Sequence, residues 1–125
     1  MAGLGDVDGD GKLELGFTGW ENGKGLRCLD AASGTQKWEL PLKGNPRASV
    51  YTADIDSDGL DEFLFADHTT LYAVNGKGGT PNPLWQVQLH SAPSDLTFAD
   101  VDGDGKTEIL FVGADSTLYC LDHHA

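Results

Sequence analysis

Three stretches of this 125-residue chain hold carboxylates at a spacing that suits cation binding. DVDGDGKLE begins at Asp6, DIDSDGLDE at Asp54 and DVDGDGKTE at Asp100, so the shared pattern is D-x-D-x-D-G-x-x-E. Carboxylates at positions 1, 3 and 5 of a tight loop converge on one point, and glycine at position 6 supplies the positive φ that folds the loop back. The carbonyl of position 7 then faces the same point, and the carboxylate at position 9 closes the shell. About six to eight flexible oxygen ligands select a hard cation, Ca2+ ahead of Mg2+. The candidate side-chain ligands are Asp6, Asp8, Asp10 and Glu14; Asp54, Asp56, Asp58 and Glu62; and Asp100, Asp102, Asp104 and Glu108. Lys12, Leu60 and Lys106 would add backbone oxygens. Up to three Ca2+ are expected. The EF-hand shares the first half of this pattern but needs a bidentate Glu at position 12 and flanking helices. Position 12 is Phe17, Phe65 and Phe111, which cannot ligate, so the EF-hand is excluded.

The charge follows these loops. The chain has 20 acidic and 8 basic residues, a formal net charge of −12. Thirteen acids and two lysines fall within 6–14, 54–62 and 100–108, leaving seven acids and six bases elsewhere. Such a balance excludes nucleic acid and anionic membrane surfaces as partners, since both demand clustered Lys and Arg. No apolar run approaches the roughly 18 residues needed to span a bilayer, so no membrane insertion is expected. Residues 1–5 show neither a basic n-region nor an apolar h-region, so no signal peptide is visible.

What positions the loops is an internal repeat. The loop starts at 6, 54 and 100 define units of about 46–48 residues, in the range of four-stranded propeller blades. A second motif follows each loop: LRCLDAASGTQKWELPL from Leu26, LYAVNGKGGTPNPLWQVQL from Leu71 and LYCLD from Leu118. Short β-rich runs separated by Gly, Asn and Asp recur, and in the middle unit they predict strands over 49–53, 62–66, 70–74 and 84–89. No segment has a capped 3.6-residue apolar period, so essentially no helix is expected. The fold class is therefore all-β. One partial β-propeller domain spans 1–125, with units at roughly 1–47, 48–93 and 94–125. The third unit ends after its third strand, which predicts three first, three second, three third and two fourth strands. Fewer than three complete blades imply a fragment of a longer propeller or a protomer that closes a ring as a homo-oligomer.

Several residues outside the loops invite a role. Trp38 and Trp85 keep the same register and suit packing between blades. Trp20 has no counterpart and sits among Gly and polar residues, a candidate ligand contact on a longer hairpin. Cys28 and Cys120 occupy one repeat position and, two blades apart, are too distant for a disulfide, so both are expected as buried free thiols. No catalytic grouping is legible around His68, His90 or Asp95, so no catalytic residue is assigned.

The loops resemble the calcium loops of FG-GAP and VCBS-type repeats, the family that includes the integrin α-subunit propeller. GLRCLDAASGTQKWEL resembles the strand-turn-strand signature of PQQ-type quinoprotein propeller repeats. These resemblances imply a non-enzymatic calcium-binding module outside the cytoplasm, at the cell surface or in the periplasm, acting as an adhesion scaffold for protein or glycan. The alternatives are a fragment of a secreted polysaccharide-acting enzyme, similar to the propeller of rhamnogalacturonan lyases, and a self-assembling propeller fragment.

Overall fold

The computed structural model describes residues 2–19, 25–42 and 49–122. Eleven strands run in chain order: β1 Gly3–Gly5, β2 Glu14–Thr18, β3 Leu26–Asp30, β4 Gln36–Leu40, β5 Tyr51–Ala53, β6 Glu62–Asp67, β7 Thr70–Asn75, β8 Asn82–Gln88, β9 Thr97–Ala99, β10 Glu108–Val112 and β11 Leu118–Leu121. The only helical turn among the described residues is a 3-10 turn at Lys77–Gly79. The strands form three antiparallel meanders, β1-β2-β3-β4, β5-β6-β7-β8 and β9-β10-β11. We call these blades one, two and three. The expected strand tally of three, three, three and two is met, and the sheets fit propeller-type blades that do not close a ring.

Local chemistry explains the meanders. In blade two, Phe63 and Phe65 in β6 and Thr70, Tyr72 and Val74 in β7 are residue types that favour strands, and a two-residue loop joins the closing pair Asp67 and Thr70. His68 in that loop takes φ 53, the left-handed region a tight hairpin demands. β5 starts at Tyr51 rather than at residue 49. β8 starts earlier than expected, at Asn82, because a bulge between Ala73 and Val74 extends pairing to Pro83 and Asn82. Blade one has the same bulge between Cys28 and Leu29. This shared irregularity sets the tryptophans: Cys28 opposes Trp38, and Ala73 opposes Trp85.

The core lies between blades rather than within one. Val7, Leu26, Cys28 and Trp38 of blade one pack on Val50, Phe63, Phe65 and Val74 of blade two. Ile55, Leu64, Leu71 and Ala73 of blade two pack, one repeat later, on Leu96, Ile109 and Phe111 of blade three. Each blade thus has a back that receives the next blade and a front that docks on the previous one. Trp38 is nearly buried at the first junction, its ring centroid 5.9 Å from that of Phe63. Trp85 packs against the second cluster. The fronts repeat an aromatic stack, Phe65 on Tyr72 at 5.0 Å and Phe111 on Tyr119 at 5.1 Å. Blade one replaces the tyrosine with Arg27, whose guanidinium carbon lies 5.9 Å from the Phe17 ring centroid.

One expectation is corrected. Cys28 is buried as foreseen, but Cys120 is exposed; both are free thiols. Cys28 lies at a junction, whereas no described residue packs on the back of blade three. Leu118, the counterpart of buried Leu26 and Leu71, is 67% exposed there.

Candidate metal centres

The three acidic loops link β1 to β2, β5 to β6 and β9 to β10, at the same end of each blade. They fold by one scheme. The position-1 aspartate accepts the position-6 amide on one oxygen: Gly11 to Asp6, Gly59 to Asp54 and Gly105 to Asp100, each at 2.9 Å. The position-5 aspartate accepts the amide of position 7: Lys12 to Asp10 at 2.8 Å, Leu60 to Asp58 at 2.9 Å and Lys106 to Asp104 at 2.8 Å. The position-9 glutamate reaches back to the amide of position 2: Val7 to Glu14 at 3.0 Å, Ile55 to Glu62 at 2.9 Å and Val101 to Glu108 at 2.8 Å. At positions 5 and 9 one carboxylate oxygen builds the loop and leaves the other for its centre, whereas at position 1 both oxygens accept loop amides, the second from Gly9, Asp58 and Gly103.

Position 6 has positive φ in all three loops, as expected for its glycine. Position 4 does too, a requirement the motif reading missed: Gly9, Ser57 and Gly103 have φ 86, 63 and 80. Two left-handed residues per loop turn the chain tightly enough to gather the carboxylates.

The structure brings together Asp6, Asp8, Asp10 and Glu14, with one oxygen of each within 4.8 Å of the others. The same holds for Asp100, Asp102, Asp104 and Glu108. In the middle loop Asp54, Asp56 and Asp58 gather in this way, and Glu62 is not part of that tight group. Glu14, Glu62 and Glu108 are all buried. Glu62 Oε1 and Glu108 Oε1 have no hydrogen-bond partner. A buried carboxylate oxygen without a donor is costly, and a cation at the loop centre would satisfy it. Burial pushes Glu62 up to about 8, assisted by the charges of Asp56, Asp58 and Asp54. Burial likewise raises Asp56. The hard-oxygen donor set and the orphaned oxygens fit Ca2+ at the second and third loops.

The first loop differs. Lys37 on β4 sends its ammonium to its centre, 2.8 Å from Asp8 Oδ2, 2.7 Å from Glu14 Oε1 and 3.3 Å from Asp10 Oδ2. The hydrogen bonds to Asp8 and Glu14 raise the Lys37 pKa, and that of Asp10 is lowered first by the Lys12 amide and then by Lys37. Motif reading missed Lys37, since it lies outside the acidic-loop signature and its counterpart in the second unit is Leu84. Its one sequence trace is its place beside Trp38. The first two loops are also joined directly, Asp61 donating its amide to the Asp6 carbonyl at 3.0 Å.

Other candidates are scattered. Trp20 lies outside the described residues. A cleft of about 450 Å³ opens at the end of the blades opposite the loops, lined by Tyr51, His68, Ser94 and Asp95 among others. Tyr51 donates its hydroxyl to Asp95 at 2.9 Å, and the His68 side chain is 95% exposed. Lys77 turns back to Asp58 at 3.5 Å, so its glycine-rich segment flanks the second loop.

The repeat geometry and the loop scheme together define a propeller-type repeat protein. Residues 54–111, from the second loop into β10, match the FG-GAP-like repeat family. No curated protein matches the chain. No helix among the described residues is long and apolar enough to cross a membrane.

Proposed function

We propose that the chain is a calcium-binding propeller repeat module that serves outside the cytoplasm as a binding scaffold. The observation that carries this reading is the pair of buried glutamates, Glu62 and Glu108, each holding one partnerless oxygen behind a loop of aspartates. Asp54, Asp56 and Asp58 would share an ion with Glu62 and the Leu60 carbonyl. Asp100, Asp102, Asp104, Glu108 and the Lys106 carbonyl would form the third shell. Calcium would supply charge at the loop centres, beyond the single Lys77 contact at the edge of the second loop, and tie the first strand of a blade to its second. Loops of this kind suit the millimolar Ca2+ of extracellular fluids.

The scaffold reading extends to a glycan or protein ligand at the opposite end, where the cleft combines an aromatic ring, an imidazole, a carboxylate and a hydroxyl. The test of the calcium reading is thermal unfolding in excess Ca2+ and in chelator. A ligand held by the folded state alone raises the melting temperature through mass action. Identical melting temperatures in the two conditions would falsify the reading.

A further inference from the structure

We infer that Lys37 is a built-in occupant of the first loop, so the chain takes up calcium at two loops rather than three. This rests on the calcium reading of the other two. The three oxygens that reach Lys37 belong to the carboxylates that the motif offers to a metal, and they surround its ammonium at 2.7–3.3 Å. Glu14 Oε1, the counterpart of the orphaned oxygens of Glu62 and Glu108, is satisfied by this contact. Asp8 and Glu14 are 10% and 0% exposed, so these bonds are shielded from water. A divalent ion entering here must expel an ammonium already charge-assisted and hydrogen-bonded. The middle blade places Leu84 beside its tryptophan where blade one has Lys37, so its loop receives no such group from β8.

Calcium stoichiometry tests the assignment. Native mass spectrometry and calorimetric titration are expected to count two Ca2+ on the intact chain and three on Lys37→Met, whose side chain keeps the apolar stem. Three ions on the unaltered chain, or a count that Lys37→Met leaves unchanged, would overturn the inference. No ion on either form overturns the calcium reading itself. Nitrogen-labelled lysine offers a check that needs no variant. The Lys37 ammonium resonance is expected to stay in place at saturating Ca2+, and its displacement would overturn the inference.

Among the described residues, the two faces left open at the ends of the stack are counterparts of faces joined inside it. On the front of blade one, Leu4, Leu15 and Leu29 lie side by side, as Phe98, Ile109 and Leu121 do on the docked front of blade three. On the back of blade three, Leu110, Val112, Leu118 and Cys120 take the places of Leu64, Ala66, Leu71 and Ala73, which receive that front. Leu4, Val112 and Leu118 are 49%, 46% and 67% exposed. We propose that a second copy of this chain covers each open face, front to back, continuing the internal junction. A head-to-tail contact of this kind builds rings or filaments.

Leu4→Glu and Leu118→Glu each block one face at an exposed position, with circular dichroism confirming the fold. Light scattering is expected to show association for the unaltered chain, monomers for each variant alone, and a one-to-one dimer when the two variants are mixed. A monomeric unaltered chain, a self-associating single variant or a mixture that stays monomeric would each overturn the proposal.

Discussion

Gly16 lies directly beneath the ring of Phe63: a Cβ at Gly16 would fall 2.5 Å from Phe63 Cε1. At the second junction the same two repeat positions hold Leu64 and Ile109. A missing side chain faces a large ring in one junction, and two medium aliphatics meet in the other. The blades therefore keep their spacing by exchanging volume across the junction, as close-packed interiors require. Gly16→Ala is expected to lower stability by about 1–3 kcal/mol through overpacking. Phe63→Ile in the same chain should recover part of the loss. Urea denaturation midpoints of the single and double variants check this, and equal midpoints for Gly16→Ala and the parent would refute it.

Asp102→Ala is expected to abolish uptake at the third loop alone. Its neighbours in the shell remain, but a position-3 carboxylate is lost from a site built by convergence. Calcium stoichiometry should fall by one, with the ordering of the second loop untouched. A fall of two would mean that the loops fill as a unit.

The metal-free protein should lose stability as pH rises from about 4.5 to about 8. Glu62 has its ordinary value of 4.5 in the unfolded chain and is pushed up to about 8 when buried. The folded state then holds a proton that the unfolded state has released, so its advantage is complete below the lower value and gone above the upper one. Melting temperatures in chelator across this window are expected to decline. Glu62→Gln should flatten the decline, and an unchanged slope in that variant would assign it elsewhere.

The two thiols should separate cleanly. Burial first, and then the charge of Glu14, push the Cys28 thiol up to about 12. Thiolate is the reactive form, so Cys28 should resist a maleimide at neutral pH while exposed Cys120 reacts. Mass spectrometry after brief labelling of a Cys120→Ser variant is expected to show no adduct until the chain is unfolded.

Much of this architecture was legible because the repeat announces it. Three aligned loops and two aligned tryptophans suffice for a strand count that the structure meets. The start of β8 was not legible, because the bulge after Ala73 depends on pairing across strands rather than on residue type. The exposure of Cys120 escaped for a related reason: identical repeat positions differ only in whether a neighbouring blade covers them. The carboxylate clusters were evident from spacing. Lys37 was not, since it approaches loop one from β4, 23 residues beyond Glu14. Position 4 of each loop was hidden by Ser57, which takes a left-handed φ without being glycine.

Each hydrogen-bonded sheet is made from one uninterrupted stretch of chain, and blades meet mainly through side chains. Pulling on the two ends of the molecule would therefore strip strands from a terminal blade while the ladders of the others stay whole. Extension should proceed in blade-sized steps, each step exposing one junction's worth of apolar surface. An ion bridging the base of a meander would raise the force at which its first strand peels away. In mechanical terms the loops are clasps, fastened at one rim of the stack.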